Sequence, residues 1–127
     1  MPTSYRDLDV WKCSLLLVAE IYRVTKRLPP DERFGLTAQM RRAAVSITCN
    51  IAEGYGRSTR GEYLNHLSMA RGSLNELEAL CVVCVTLSLI DEPAVAPASE
   101  YLDRMRRMLG RLRKRLADKG PGKRANG

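Results

Sequence analysis

The chain has 127 residues, 21 Lys and Arg against 14 Asp and Glu, a formal net charge of +7, and aromatic residues at only 6 %. That length fits one domain with a true core. Helix formers without β-branched alternation exclude a strand-based fold and point to all-α. The longest apolar run, Ala79 to Ile90, stops well short of the roughly 18 residues that cross a bilayer. No membrane span is expected.

The charge is uneven. Residues 1–99 carry 11 basic and 11 acidic side chains, whereas residues 100–127 carry 10 and 3. A basic excess confined to one end fits a surface for nucleic acid, for an acidic partner or for the face of a membrane. The N-terminal MPTSYRDLDVW lacks the basic-then-apolar order of a signal peptide, so a soluble cytoplasmic protein is expected.

In chain order, the first helix is predicted from about Leu8 to Arg27, with Asp7 as its N-cap. Leu8, Trp11, Leu15, Val18 and Tyr22 recur at helical spacing as its apolar face. Pro29-Pro30 ends it. The second helix is predicted from near Phe34 to Tyr55. Leu36, Met40, Ala43, Ala44, Ile47 and Ile51 form one apolar face, and Arg42, Ser46, Asn50, Glu53 and Arg57 a polar stripe beside it. Gly54-Tyr55-Gly56 reads as a left-handed glycine stop.

Thr59-Arg60-Gly61-Glu62 reads as a capping box opening the third helix, whose core stripe is Tyr63, Leu67, Ala70, Leu74, Leu77, Cys81 and Cys84. Gly72 marks a place where another helix would approach closely. From Ala79 to Ile90 the helix is apolar all round, which implies cover on every side and hence a second subunit. After the break at Asp91-Glu92-Pro93, Pro97 leaves the start of the fourth helix open. Ala98, Leu102, Met105, Leu109, Leu112 and Leu116 then form a bundle-packing seam. Arg104, Arg106, Arg107, Arg111, Arg113, Lys114 and Arg115 lie off that seam, and residues 118–127, DKGPGKRANG, read as a disordered basic tail. The expected architecture is an antiparallel up-down-up-down four-helix bundle over residues 1–117 that forms an oligomer.

Catalytic signatures are absent. The lone histidine, His66, has only Glu62 as a carboxylate one turn away, and no Glu-x-x-His pair occurs on two helices. Cys81-Val-Val-Cys84 has CxxC spacing without a second CxxC, so Cys13, Cys49, Cys81 and Cys84 are read as reduced, buried thiols. No metal, no cofactor and no enzymatic activity are expected. The polar stripe, with Glu76 a candidate partner of Arg42 and Ser73 one turn before it, reads first as a closed hydrogen-bond network that fixes helix register or subunit contacts, with a binding surface and a catalytic site as the alternatives.

Three segments carry a family resemblance: Asp7-Leu8-x-Val10-Trp11, then Leu36-x-x-Gln39-Met40-x-Arg42-Ala43-Ala44-x-Ser46-Ile47-x-x-Asn50-Ile51-Ala52-Glu53-Gly54, then Gly72-Ser73-Leu74-x-Glu76-Leu77-Glu78. The chain resembles the four-helix-bundle family also called 23S rRNA intervening-sequence proteins, over roughly residues 5–116. The resemblance implies closed homopentameric rings of four-helix bundles. Some members are encoded within intervening sequences of ribosomal RNA genes. A related branch, the accessory variability determinants of diversity-generating retroelements, comprises basic pentamers that bind nucleic acid and a reverse transcriptase.

The functional expectation is a non-catalytic homo-oligomer that binds RNA or DNA through its phosphate backbone. Arg104, Arg107, Arg111, Lys114 and Arg115 are the first candidate contacts, and Arg42, Arg57 and Arg60 form a second patch. The alternative is a protein–protein scaffold whose basic surface docks an acidic partner.

Overall fold

The structure, a computed structural model, describes residues 3–118. The expected tail beyond Asp118 lies outside the described residues. Four helices carry the fold: α1 (Asp9–Thr25), α2 (Leu36–Tyr55), α3 (Arg60–Thr86) and α4 (Glu92–Ala117). Short 3-10 turns precede α1 at Tyr5–Asp7 and α2 at Pro30–Glu32. No strand occurs among the described residues.

Cross-helix pairs define the packing. Thr25 and Ser14 of α1 meet Arg41 and Thr48 of α2, so the two run antiparallel. Met40 and Ser46 of α2 meet Cys84 and Ser73 of α3. Ser68 and Glu78 of α3 meet Arg113 and Arg106 of α4. Arg23 reaches the carbonyl of Ala94, which brings α4 back beside α1. The order around the bundle is therefore α1, α2, α3, α4, up-down-up-down, with α1 opposite α3 and α2 opposite α4.

The core is the one expected on three helices. Met40, Ala43, Ala44, Ile47 and Ile51 are buried on α2, all seven residues of the α3 stripe are buried, and so is the α4 seam from Ala98 to Leu116. The α1 face differs. Its buried residues are Val10, Cys13, Ser14, Leu17, Ile21, Val24 and Thr25, whereas Leu15 and Tyr22 are exposed and Leu8, Trp11 and Val18 half-buried. Helix α1 carries two apolar stripes at the same spacing, and periodicity alone cannot say which one faces inward. The polar residues of the inward stripe are satisfied locally. The Ser14 hydroxyl donates to the carbonyl of Trp11 at 2.6 Å, and Thr25 to that of Ile21 at 2.7 Å.

Helix ends also depart from expectation. Leu8, not Asp7, is the N-cap of α1; the Asp7 carboxylate instead accepts from the backbone and hydroxyl of Thr3. Gly56 closes α2 at φ −79°, so no left-handed glycine is used there. The left-handed stop occurs at the end of α3, on Ser88 at φ 59°. There Leu89 N–H reaches the carbonyl of Cys84 and Ser88 N–H that of Val85, the pattern of a Schellman closure. Asp91 caps α4 through Ala94 N–H at 3.1 Å, and Pro97 sits inside that helix. The capping box of α3 forms with a twist: Thr59 Oγ1 accepts from Glu62 N–H and gives its own proton to the Glu62 carboxylate.

Gly72 is exposed, with nothing within 4 Å of the place a Cβ would occupy. Close approach occurs at Gly54, where an added Cβ would lie 2.8 Å from His66 Cβ and 3.0 Å from Tyr63 Cδ1. Cys49 is exposed while the other three thiols are buried.

Candidate nucleic-acid interface

The antiparallel order puts the start of α1, the end of α2, the start of α3 and the end of α4 at one end of the bundle. Arg57, Arg60, Arg111, Lys114 and Arg115 gather at that end. A cleft of about 290 Å³ there sets Asp7 and Asp9 of the chain's start against Arg111 and Arg115 of α4. Among the described residues the ion pairs of arginine or lysine are Arg23–Glu20 and Arg106–Glu78, so none of these five cations is neutralised by a salt bridge.

Arg104 and Arg107 extend the same surface. With Arg111, Lys114 and Arg115 they project from α4 within about 100° of one another, and the stripe climbs about 16 Å of helix. All five are exposed. Arg104 lies with its guanidinium 5.3 Å from the Tyr101 ring centroid. Arg106 and Arg113, by contrast, turn to α3 and bind Glu78 and Ser68 at 3.3 Å each. The second expected patch divides. Arg57 and Arg60 join the basic end, but Arg42 lies about 22 Å from Arg57 along α2.

The polar stripe of α2 is a continuous chain of hydrogen bonds to α3. Ser46 Oγ pairs with Ser73 Oγ at 2.9 Å, and Asn50 Nδ2 donates to the Ser46 carbonyl at 2.9 Å and its hydroxyl at 3.1 Å. Asn50 Oδ1 lies 3.2 Å from His66 Nδ1, and Arg57 Nε–H donates to His66 Nε2 at 3.2 Å. An Nε2 that accepts from arginine carries no proton, so the Nδ1–H of a neutral imidazole faces Asn50. Glu53 stands farther off, at 3.7 Å from Nδ1. Arg42 and Glu76 line the same cleft of about 160 Å³ beside Ser46 and Ser73, yet no ion pair joins them.

His66 is the member that sequence reasoning missed. Its position one residue before Leu67 at the edge of the core stripe, level with Asn50 across an antiparallel pair, was the available signal. Buried Tyr63 adds a polar group to this end. Burial, reinforced by Tyr55 and opposed by Arg115, pushes its hydroxyl up to about 12. No group of three His, Cys, Asp or Glu among the described residues is placed to hold a metal ion. No helix of the described residues is long and apolar enough to cross a membrane.

The fold and this surface define a class: an up-and-down four-helix bundle with an unneutralised cationic end. The family model described as 23S rRNA-intervening sequence protein matches residues 6–111, and the chain belongs to that family. A solved structure from Bacteroides thetaiotaomicron, described as a protein of unknown function from the S23 ribosomal protein family, is similar with a TM-score of 0.76. The match is 23 % identical and covers 83 % of this chain and 95 % of that one, a likeness of fold. None of the curated proteins matches the chain.

Proposed function

We propose that the chain is a non-catalytic protein that assembles into a closed homo-oligomer and binds RNA or DNA by its phosphate backbone. The observation that carries this reading is the gathering of Arg57, Arg60, Arg111, Lys114 and Arg115 at one end without a salt-bridge partner. Five cations that no salt bridge neutralises suit contacts to phosphates.

Assembly is supported by two apolar surfaces on opposite sides of the bundle. Trp11, Leu15, Val18 and Tyr22 of α1 sit beside Val45 of α2. Arg41 stacks 4.4 Å from the Tyr22 ring centroid. On the other side, Val82, Val85, Val95 and Leu102 line a groove of about 550 Å³ between α3 and α4, with Glu92 and Glu100 on its rim. Arg41 lacks a carboxylate, and Glu92 and Glu100 lack a cation, among the described residues. Tyr22, Arg41 and both glutamates lie toward the same end of the bundle. Copies side by side in one orientation would bring them level.

Two different patches in contact make a heterologous interface, which gives a ring when the rotation between copies closes and an open filament when it does not. The family resemblance implies five subunits. Such a ring carries every basic end on one rim, where weak phosphate contacts multiply.

Binding of a labelled single-stranded RNA and a duplex DNA across a salt series tests the reading. Affinity should fall along a straight line of log Kd against log salt, because each neutralised phosphate releases counterions. Saturable binding to an acidic protein that neither polymer displaces would instead favour a scaffold role.

A further inference from the structure

Between α3 and α4, on the side of the apolar groove but nearer the basic end, lies a second cleft of about 390 Å³. One chain supplies its walls, Arg71 and Asn75 of α3 against Arg106, Gly110 and Arg113 of α4. Among the described residues three arginines border it and no carboxylate does.

The two helices set these groups face to face. Arg71 and Asn75 are four residues apart, and Arg106, Gly110 and Arg113 follow at spacings of four and three, so each set shares one helix face. Two cross-helix contacts bracket the cleft: Arg106 Nη2 donates to Glu78 Oε2 and Arg113 Nη2 to Ser68 Oγ, both at 3.3 Å. Each contact uses a single nitrogen, so it fixes where the guanidinium lies and leaves further N–H donors unspent. The Arg71 side chain has no hydrogen bond or ion pair among the described residues.

Gly110 stands between the two α4 arginines, in the interior of a 26-residue helix. Glycine there weakens a helix relative to alanine. No packing requires it, since nothing lies within 4 Å of the place a Cβ would occupy. What it does is keep the α4 wall low, where a larger side chain would lean across the opening.

We propose that this cleft binds a small phosphorylated molecule the size of a nucleotide, with its phosphates on Arg71, Arg106 and Arg113. Guanidinium forks match phosphate oxygens in pairs, and three of them around one opening suit more charge than a single carboxylate carries. The volume exceeds what a lone phosphate fills and lies at the lower end of the roughly 300–1,000 Å³ of small-ligand clefts. Asn75, whose side chain has no partner among the described residues, offers a donor and an acceptor to the neutral part of the ligand.

A free nucleotide and one unit of a bound RNA present the same chemistry. The site stands whether or not the chain binds nucleic acid, and competition separates the sources. A short RNA that displaces ADP assigns the cleft to one unit of the polymer. RNA that binds without displacing ADP, or does not bind at all, leaves the cleft to a free phosphorylated molecule.

The test titrates the full chain with ADP by calorimetry, with pyrophosphate as the phosphate part alone and adenosine as the part without phosphate. ADP should bind saturably, one per chain, and adenosine should not. Arg71→Gln should weaken ADP about tenfold without lowering the Tm, because Arg71 has no contact in the fold to lose. Gly110→Leu keeps all three arginines, fills the opening and favours the helix. It should abolish ADP binding while Tm and oligomer mass do not fall.

ADP binding that survives Gly110→Leu at wild-type affinity overturns the proposal, since general attraction to a basic chain would behave in that way. Adenosine binding as tight as that of ADP overturns the role given to the arginines. A wild-type chain that takes up neither ADP nor pyrophosphate overturns the site outright.

Discussion

Gly54 and Gly72 both lie inside helices, and their surroundings assign them opposite roles. A methyl group at Gly54 would meet the Cβ of His66 at 2.8 Å, and a Cβ cannot swing away as a flexible side-chain end can. Gly54→Ala should therefore cost about 1–3 kcal/mol in urea unfolding and loosen the hydrogen bonds around Asn50 and His66. At Gly72 the space is open, so Gly72→Ala should gain up to about 1 kcal/mol of helix propensity. The thiols follow burial in the same way. Burial pushes Cys81 up to about 11, with Cys84 and Glu78 adding to the effect, and raises Cys13 and Cys84 from the ordinary 9.0. Between pH 9 and 11 the unfolded chain has released thiol protons that the native chain still holds. Stability is then fully present below pH 9 and is lost as pH rises through about 11. Thermal unfolding at pH 8 and above pH 10 checks the sign. Mass-resolved alkylation at pH 8 should find exposed Cys49 first.

The helices themselves were largely legible because their signals were redundant. The α4 seam from Ala98 to Leu116 repeats at one spacing, with arginines on every other side, so only one face can go inward. On α1 the same rule was ambiguous, since Trp11, Leu15, Val18 and Tyr22 repeat as regularly as Val10, Leu17, Ile21 and Val24. Tertiary packing settled the choice and left the first stripe open to a partner. The network on α2 was legible on its own helix through Ser46 and Asn50. Its partner across the gap was not, because which α3 residue faces Asn50 depends on the register of two helices; His66 faces it, and Arg42 and Glu76, read as partners, form no ion pair. Helix stops were the least legible feature. Glycine was expected where the chain turns left-handed, and Ser88 does so instead at φ 59°. A non-glycine residue there costs roughly 1–2 kcal/mol, so Ser88→Gly should stabilise the chain by about 1 kcal/mol in chemical unfolding. Asp91→Ala, which removes the cap on Ala94 N–H, should cost about the same.

At the scale of the whole molecule, the antiparallel order does two things at once. It brings Arg57, Arg60, Arg111, Lys114 and Arg115 to one end, and it sets the apolar α1/α2 side opposite the α3/α4 groove. A head-to-tail ring makes a distinctive prediction. Leu15→Asp should spoil one patch and Val82→Asp the other, so each variant alone should be monomeric by light scattering. Mixed together, they should form a one-to-one dimer through the patch each retains. A symmetric contact that used the same patch on both copies would give no such dimer.

The most direct test compares RNA binding by the wild-type chain with that of the combined Arg57→Gln, Arg111→Gln and Arg115→Gln variant, with the oligomer mass measured in the same samples. The basic end predicts that the variant keeps its mass, loses about tenfold or more in affinity near physiological salt, and shows a shallower dependence on salt. A variant of unchanged mass that binds as tightly as the wild type, or a wild-type oligomer that binds no RNA at low salt, would contradict it.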